Sequence, residues 1–332
     1  MAQVKYLFFL LLFLFFALTA PAFSAQKRIA VVVAKSTDGD AYSLGDSWAR
    51  GVDALKARFK KKISADLYVT YQTDEDLRST LKKAAEKSDL VILPDAAYYK
   101  FLPEIAEEYP SVAFVVFGEI DAPGVRRVLF REEEGGFLAG ALAAMMTEYE
   151  GGYRINAERK IAAILGEEDA SAKALLKGYV AGAWYIDPEV KVLSGYTKSF
   201  DDMSMARDLA LKFSAQGADV IFVAARSAGD GAISEAAESG YWVIGSYTEQ
   251  EELYPDAVLS SVVTRVESVL YYIVGRYIED GLRESEISLG VADGCIDISV
   301  RSRSAEANVP QDVREKIEEI RDKISRKLII IR

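Results

Sequence analysis

Residues 217–250 read GADVIFVAARSAGDGAISEAAESGYWVIGSYTEQ. The apolar run 220–225 is followed by a small-residue turn at 226–231, then by a helix-like stretch with Ile233, Ala236 and Ala237 on one face. Gly240 closes that stretch, and a second apolar run begins at Tyr241. A short, wholly apolar run, a helical period and another apolar run make one strand–helix–strand unit of a parallel sheet buried on both faces. In open sheets of this kind ligands sit beyond the carboxyl ends of the strands. The informative positions are therefore 225–229 and 246–249.

The same alternation extends in both directions. Residues 28–34, 65–71, Leu90–Leu93, 112–117 and 126–130 read as strands. Helical stretches at 47–62, Asp74–Lys87 and 100–109 separate them. A second round follows: a small-residue helix at 132–149, a strand at Lys160–Leu165, a helix at Ala170–Ile186, a strand at 190–195 and a helix at 203–216. After the opening unit come a strand at 258–263, a long helix at 265–280, an extended segment at 288–300, a charged helix at 309–326 and a terminal strand or tail. Apolar runs alternating with amphipathic helices predict an α/β protein with doubly wound parallel sheets. Two rounds, in a mature chain of about 308 residues, predict two lobes.

The first residues, MAQVKYLFFLLLFLFFALTAPAFSAQKR, place one lysine before an apolar run and small residues after it. That is the pattern of a secretory signal peptide cleaved after Ala22 or Ser24, giving a leader of 1–24. The rival reading is a retained anchor, but the run is shorter than the roughly 20 apolar residues a span needs. Loss of Lys5 leaves 39 basic against 51 acidic residues, a net charge of −12. Such a surface repels nucleic acid and anionic lipid. Histidine is absent, which removes the usual general base and the usual metal ligand. Cys295 is the single cysteine, so folding relies on no internal disulfide. No G-x-S-x-G turn, phosphate-binding glycine loop or metal cluster stands in the chain. Asp38-Gly39-Asp40 suggests calcium, but the closing glutamate of a calcium loop is missing, and a solvated turn is the alternative. No cofactor and no enzymatic activity are expected.

Six segments, in order and suitably spaced, resemble the basic membrane protein family of ABC-transporter substrate-binding proteins, the purine-nucleoside receptor type. They are FREEEGGFLAG at 130–140, GYTKSFDD at 195–202, the glycine-rich turn at 224–231, 245–250, SSVVTRV at 260–266 and GVADGCIDIS at 290–299. The resemblance implies a type I periplasmic binding protein fold, with two doubly wound lobes joined by three hinge crossings and a ligand in the cleft. It implies a first lobe of 25–131 and 262–291 and a second of 132–261 and 292–332. It further implies a monomer, a small-molecule ligand and an ABC transporter permease as partner, or a signalling receptor if the protein is a sensor. Many family members carry a lipoprotein cysteine at the cleavage site. None lies near residue 25 here, which implies a free periplasmic protein.

The resemblance also directs attention to the strand ends. Phe200 aligns with a ligand-stacking aromatic, and Phe117 closes its own strand. Family members that bind nucleosides usually carry an aspartate after that strand, where this chain has Gly118 with Glu119 and Asp121 beyond. They carry another where Tyr247 stands, and a lysine where Thr264 stands. A hydroxyl pair on a carboxylate is worth about 1.5–3 kcal/mol, so Glu119, Asp121 or Glu249 must replace the missing partners if the ligand is a nucleoside. Asp38 and Tyr42 lie in the first strand-end loop; Tyr42 either covers the ligand or is simply exposed. Trp48 either lines the site or packs in the core. Arg226 replaces a small residue of the glycine-rich turn and either meets the ligand or pairs with Asp230 or Glu249. Asp293 serves a hinge or a ligand, and Tyr98 is expected at the cleft edge or the surface.

Overall fold

The computed structural model describes residues 26–34, 44–71, 73–120, 122–149 and 151–331, with side chains of the first helix from Ser47 onward. The leader, Asp38, Tyr42 and Asp121 lie outside the described residues. In the first sheet β1 (Lys27–Ala34), β2 (Ile63–Thr70), β3 (Leu90–Leu93), β4 (Ala113–Phe117), β5 (Val125–Phe130) and β11 (Glu286–Leu289) run parallel, in the order β11-β5-β4-β3-β1-β2. In the second, β6 (Lys160–Leu165), β7 (Lys191–Tyr196), β8 (Ala218–Ala224), β9 (Trp242–Tyr247), β10 (Val258–Thr264) and β12 (Ile296–Ile298) take the order β12-β10-β9-β8-β6-β7. Each lobe therefore repeats one winding, in which the second strand lies outside the first and the rest step away on the other side. The order reverses between β1 and β3 in one lobe and between β6 and β8 in the other.

The wholly apolar strands are the buried ones. All four residues of β3 and all seven of β8 are buried. Helices cover both faces, as parallel strands require. In the first lobe these are α1 (Leu44–Phe59), α2 (Asp74–Lys87) and α3 (Leu102–Glu108), joined by α8 (Val266–Asp280). In the second they are α4 (Glu132–Thr147), α5 (Ala170–Ile186), α6 (Met203–Ala215), α7 (Gly229–Ser239), α9 (Arg303–Asn308) and α10 (Gln311–Ser325). Caps define several starts: the side chains of Thr73, Asp169, Asp202 and Ser302 each accept an amide of the following turn. Helices α4 and α5 touch backbone to backbone. A Cβ at Gly136 or Gly140 would come within 2.1 or 1.9 Å of a carbonyl oxygen of α5, and one at Gly178 or Gly182 within 2.0 Å of a carbonyl oxygen of α4.

The chain passes between lobes three times: at Arg131 into α4, at Arg265 into α8, and through the turn 290–295 between β11 and β12. The expected passage at 261/262 is displaced, because β10 stays paired with β12 through Thr264. The expected single extended element at 288–300 is two strands in two different sheets, separated by that turn. Strand β12 is the one antiparallel neighbour in its sheet, since it arrives from the other lobe without a helical crossover. The passages are bonded to one another. Arg131 reaches Glu134 at 2.6 Å and Asp293 at 2.9 Å; Asp293 also accepts the Gly290 amide, and Glu134 accepts the Val291 amide. The Arg265 amide donates to Cys295 O at 2.9 Å. The expected helix at 309–326 is α10, entered through Pro310 and preceded by the short helix α9, and 100–109 contributes only α3, preceded by a single-turn helix at Ala96–Tyr98.

Candidate functional site

The reversal point of the second sheet gathers an aromatic ring, a guanidinium and tightly hydrogen-bonded backbone. Gly166, just past β6, donates its amide to Ala224 O at the end of β8, and accepts the Lys198 amide from the loop after β7. Phe200 follows in that loop. Its carbonyl accepts the Ala228 amide at 2.7 Å, which pins the loop over the turn after β8. The ring lies so near Gly166 that a Cβ there would stand 2.3 Å from Phe200 Cε1. Glycine is therefore required at 166 to seat the aromatic ring. The guanidinium of Arg226 lies over the same ring, 4.5 Å from its centroid.

Three strands of this sheet, β8 and its neighbour β9 and, beyond β6, β7, are followed or ended by left-handed residues that are not glycine. They are Lys198 (φ 60°) after β7, Arg226 (φ 52°) after β8 and Tyr247 (φ 69°) on β9. Such backbone costs of order 1–3 kcal/mol each and clusters where geometry serves a site. Arg226 and Tyr247 lie close enough to interact electrostatically, and Arg226 lowers the pKa of the phenol. Tyr247 also feels Glu132 and Asp169, and burial with these two carboxylates pushes its hydroxyl up to about 12. Glu132, the first residue of α4, is crowded at the same level. Burial first, then Glu133 and Asp169, push its carboxyl up to about 7, while the Ser171 hydroxyl bonded to it acts the other way. Asp169 caps α5 and Ser171 lies in its first turn, so the starts of α4 and α5 meet near the end of β9.

The first lobe brings aromatic surface to the corresponding strand ends. Phe117, closing β4, and Phe130, closing β5, are stacked with centroids 5.7 Å apart, and Trp48 of α1 meets Phe117 edge-on at 5.5 Å. Phe130 packs against the cores of both lobes and so marks their junction. Trp48 is core, with 6% of its surface exposed.

The expected site residues divide accordingly. Phe200, Arg226 and Tyr247 are gathered together, and Phe117 belongs to the first-lobe aromatic row. Glu119 is exposed beyond Gly118. Glu249 pairs with Arg265 at 2.6 Å rather than with Arg226, and Asp293 is held in the hinge by Arg131. Thr264 is the last residue of β10, opposite Ile296. Tyr98 is neither cleft edge nor surface: it is fully buried in the first lobe, hydroxyl to hydroxyl with Thr70. Glu132 was not singled out by sequence reading. Its signal was the glutamate run of FREEEGG, which reads equally well as an ordinary acidic helix start.

Among the described residues no cluster of histidine, cysteine, aspartate and glutamate could hold a metal, and no helix is long and apolar enough to cross a membrane. A family model described as ABC transporter substrate-binding protein PnrA-like matches residues 27–332. Basic membrane protein B of Borreliella burgdorferi is 30% identical over 297 residues, 82% of this chain and 81% of that protein. The ABC transporter system solute-binding protein of Aeropyrum pernix K1 is similar with a TM-score of 0.69 at 22% identity, covering 92% of each chain. A transcriptional activator of the comK gene from Bacillus halodurans gives a TM-score of 0.74 at 18% identity, over 92% of this chain and 100% of that one. These two structures speak for the fold alone, which is that of the type I periplasmic binding proteins. With a family match over nearly all the chain beyond its leader, the protein belongs to the PnrA-like ABC transporter substrate-binding proteins and is an extracytoplasmic solute-binding protein, not an enzyme.

Proposed function

We propose that this protein is a free periplasmic receptor, released by cleavage of its leader, that clasps a small planar heterocycle between its lobes and presents the closed form to an ABC permease. The ligand class is nucleoside-, nucleobase- or flavin-like. The observation that carries this reading is the seating of Phe200 at the reversal point of the second sheet, where ligands of open α/β sheets bind, under a guanidinium and beside a phenol. A ring stacked on such a platform gains about 0.5–1.5 kcal/mol beyond burial. The half-buried first-lobe pair Phe117 and Phe130, backed by Trp48 in the core, supports the same reading from the other side. Closure follows as a population shift, since a ligand touching both lobes stabilises only the closed form.

Thermal-shift titration against inosine, guanosine, uracil, riboflavin, arabinose and a dipeptide tests the ligand class. At least one ring compound should raise the melting temperature. A shift with only arabinose or the dipeptide would overturn the heterocycle reading. Amino-terminal sequencing of periplasmic extract tests the leader, with a mature terminus expected near residues 23–25.

A further inference from the structure

The strand-start end of the first lobe, opposite the cleft, is a cationic pole. Residues 56–62 read KARFKKK, five cations in seven residues, with no carboxylate between Asp53 and Asp66. Helix α1 stops at Phe59, and a single helical turn, Lys60–Lys62, leads into β2 at Ile63. All three lysines of that turn are exposed. Among the described residues only Lys56 of the run meets a carboxylate, Asp53 at 3.6 Å, and Arg58 lies over the Tyr271 ring. The register sets Lys27 of β1 beside Ile63, and its ammonium stands 5.6 Å from the centroid of the Tyr277 ring. Lys87, exposed at the end of α2, lies at the same edge, since β3 then starts at Leu90 beside Ile29. Carboxylates do stand here: Asp89 is taken by Arg28 at 2.7 Å, Asp280 by Arg276 at 2.7 Å, and Glu86 accepts the Tyr109 hydroxyl at 3.3 Å, while Glu279 is exposed. They leave the lysine turn in excess. The second lobe gives the contrast. At its own strand starts Arg159 is surrounded by Glu148, Asp187 and Glu189, and Lys160 pairs with Glu158 at 2.8 Å.

We infer that this pole docks the receptor reversibly on an anionic phospholipid bilayer, through Lys27, Lys60, Lys61 and Lys62. Two observations choose a bilayer as the anionic partner. The first is where the chain enters. The apolar run of the leader ends at Leu18, and residues 19–26 join it to β1 at this same edge. Eight residues span at most about 28 Å, so a leader seated in the membrane holds these lysines within that distance of the lipid. The second is the pair of half-buried tyrosines, Tyr271 and Tyr277, beneath Arg58 and Lys27. Rings with an apolar body and a polar tip suit the boundary between lipid and water. The mature net charge of −12 does not forbid docking. Exposed charges more than about 10 Å away are largely screened at about 0.1 M salt, so a surface in contact with the pole feels the lysines first. Each such lysine strengthens attachment about fivefold. The pole lies at the far end of the strands from Phe117, so docking leaves the cleft free. This rests on the leader for its choice of partner, and not on the heterocycle reading.

Co-sedimentation of the full mature chain with lipid vesicles tests it. Vesicles of equal parts phosphatidylglycerol and phosphatidylcholine should bind the wild type at low salt, and added salt should release it. Vesicles of phosphatidylcholine alone should not bind it. The combined variant Lys60→Glu, Lys61→Glu and Lys62→Glu should bind the anionic vesicles about a hundredfold more weakly. A control variant, Lys177→Glu, Lys191→Glu and Lys212→Glu, makes the same charge change on exposed lysines of the second lobe. It should bind within about threefold of the wild type, because those charges lie beyond the screening distance. Circular dichroism melts establish that both variants are folded. No binding of the wild type to the anionic vesicles, equal binding to the neutral ones, full binding by the first variant, or equal loss in the two variants would each overturn the assignment. Amino-terminal sequencing tests the leader separately, so the two readings can fail independently.

Discussion

The guanidinium of Arg226 rests 4.5 Å above the ring centroid of Phe200, and the opposite constraint on that ring is a glycine, Gly166. A cation over an aromatic face is worth about 0.5–1 kcal/mol where exposed and more when desolvated. The pair forms a platform whose position depends on a missing side chain. Gly166→Ala would put a methyl 2.3 Å from Cε1, and a ring is not the flexible end of a chain. The substitution should weaken binding of the ring compound identified by thermal shift by about tenfold or more, comparable to Phe200→Ala. Calorimetry on both variants checks this; unchanged affinity in Gly166→Ala would show that the seat of Phe200 is immaterial.

Glu132 gives the unliganded protein a defined pH response. Its carboxyl is held at about 7 against an ordinary 4.5, so the folded state keeps a proton that the unfolded chain has released. A carboxyl with a raised folded pKa stabilises the protonated fold, so the benefit is present below pH 4.5 and is lost as the pH climbs to 7 and beyond. The melting temperature of the wild type, relative to Glu132→Gln, should therefore fall between pH 4.5 and 7.5. Parallel curves for the two proteins across that window would contradict it. Glu133 and Asp169 oppose ionisation of Glu132, and Ser171 favours it.

Two glycine-to-alanine exchanges should act with opposite signs. At Gly140 the new Cβ meets Tyr179 O at 1.9 Å, so α4 and α5 must part. Overpacking of this kind costs about 1–3 kcal/mol, or more where backbone is the obstacle. At Gly275, inside α8, the nearest atom is Phe59 Cζ at 4.0 Å. There the helix propensity of alanine should stabilise by up to about 1 kcal/mol. Urea denaturation of both variants reads the difference directly; equal destabilisation would refute the close approach of α4 and α5.

Cys295 reports on the third crossing. It is fully buried, and burial followed by the nearby Asp293 pushes its thiol up to about 12. Reactivity requires the thiolate and access. Ellman's reagent at pH 8 should leave the native thiol unmodified for hours and titrate one thiol at once in 6 M guanidinium chloride. Rapid native labelling would mean that the turn 290–295 is open rather than packed.

Much of this architecture is written locally. Leu90–Leu93 and Lys160–Leu165 are bounded apolar runs, and their limits follow from composition alone. Helices α2 and α5 announce themselves through Thr73 and Asp169, whose side chains cap them. The segment 288–300 misleads because alternation continues across a turn, and periodicity cannot say that its two halves belong to different sheets. Tyr98 misleads because a tyrosine after a strand end suits a rim, while its hydroxyl in fact finds Thr70 within the core. Phe200 is legible as an aromatic residue at a strand end, but the guanidinium upon it is not, because Asp230 and Glu249 stand nearer in sequence as partners for Arg226. Glu132 becomes a site residue only when α4, α5 and β9 are brought together.

The claim on which the rest depends is that a flat ring is held at the Phe200 platform between the lobes. Equilibrium dialysis of mature protein with inosine, uracil and riboflavin, repeated with Phe200→Ala, tests it most directly. The account predicts one-to-one binding of at least one of them by the wild type and at least tenfold weaker binding by the variant. Binding of the same compound with equal affinity by both proteins would contradict it.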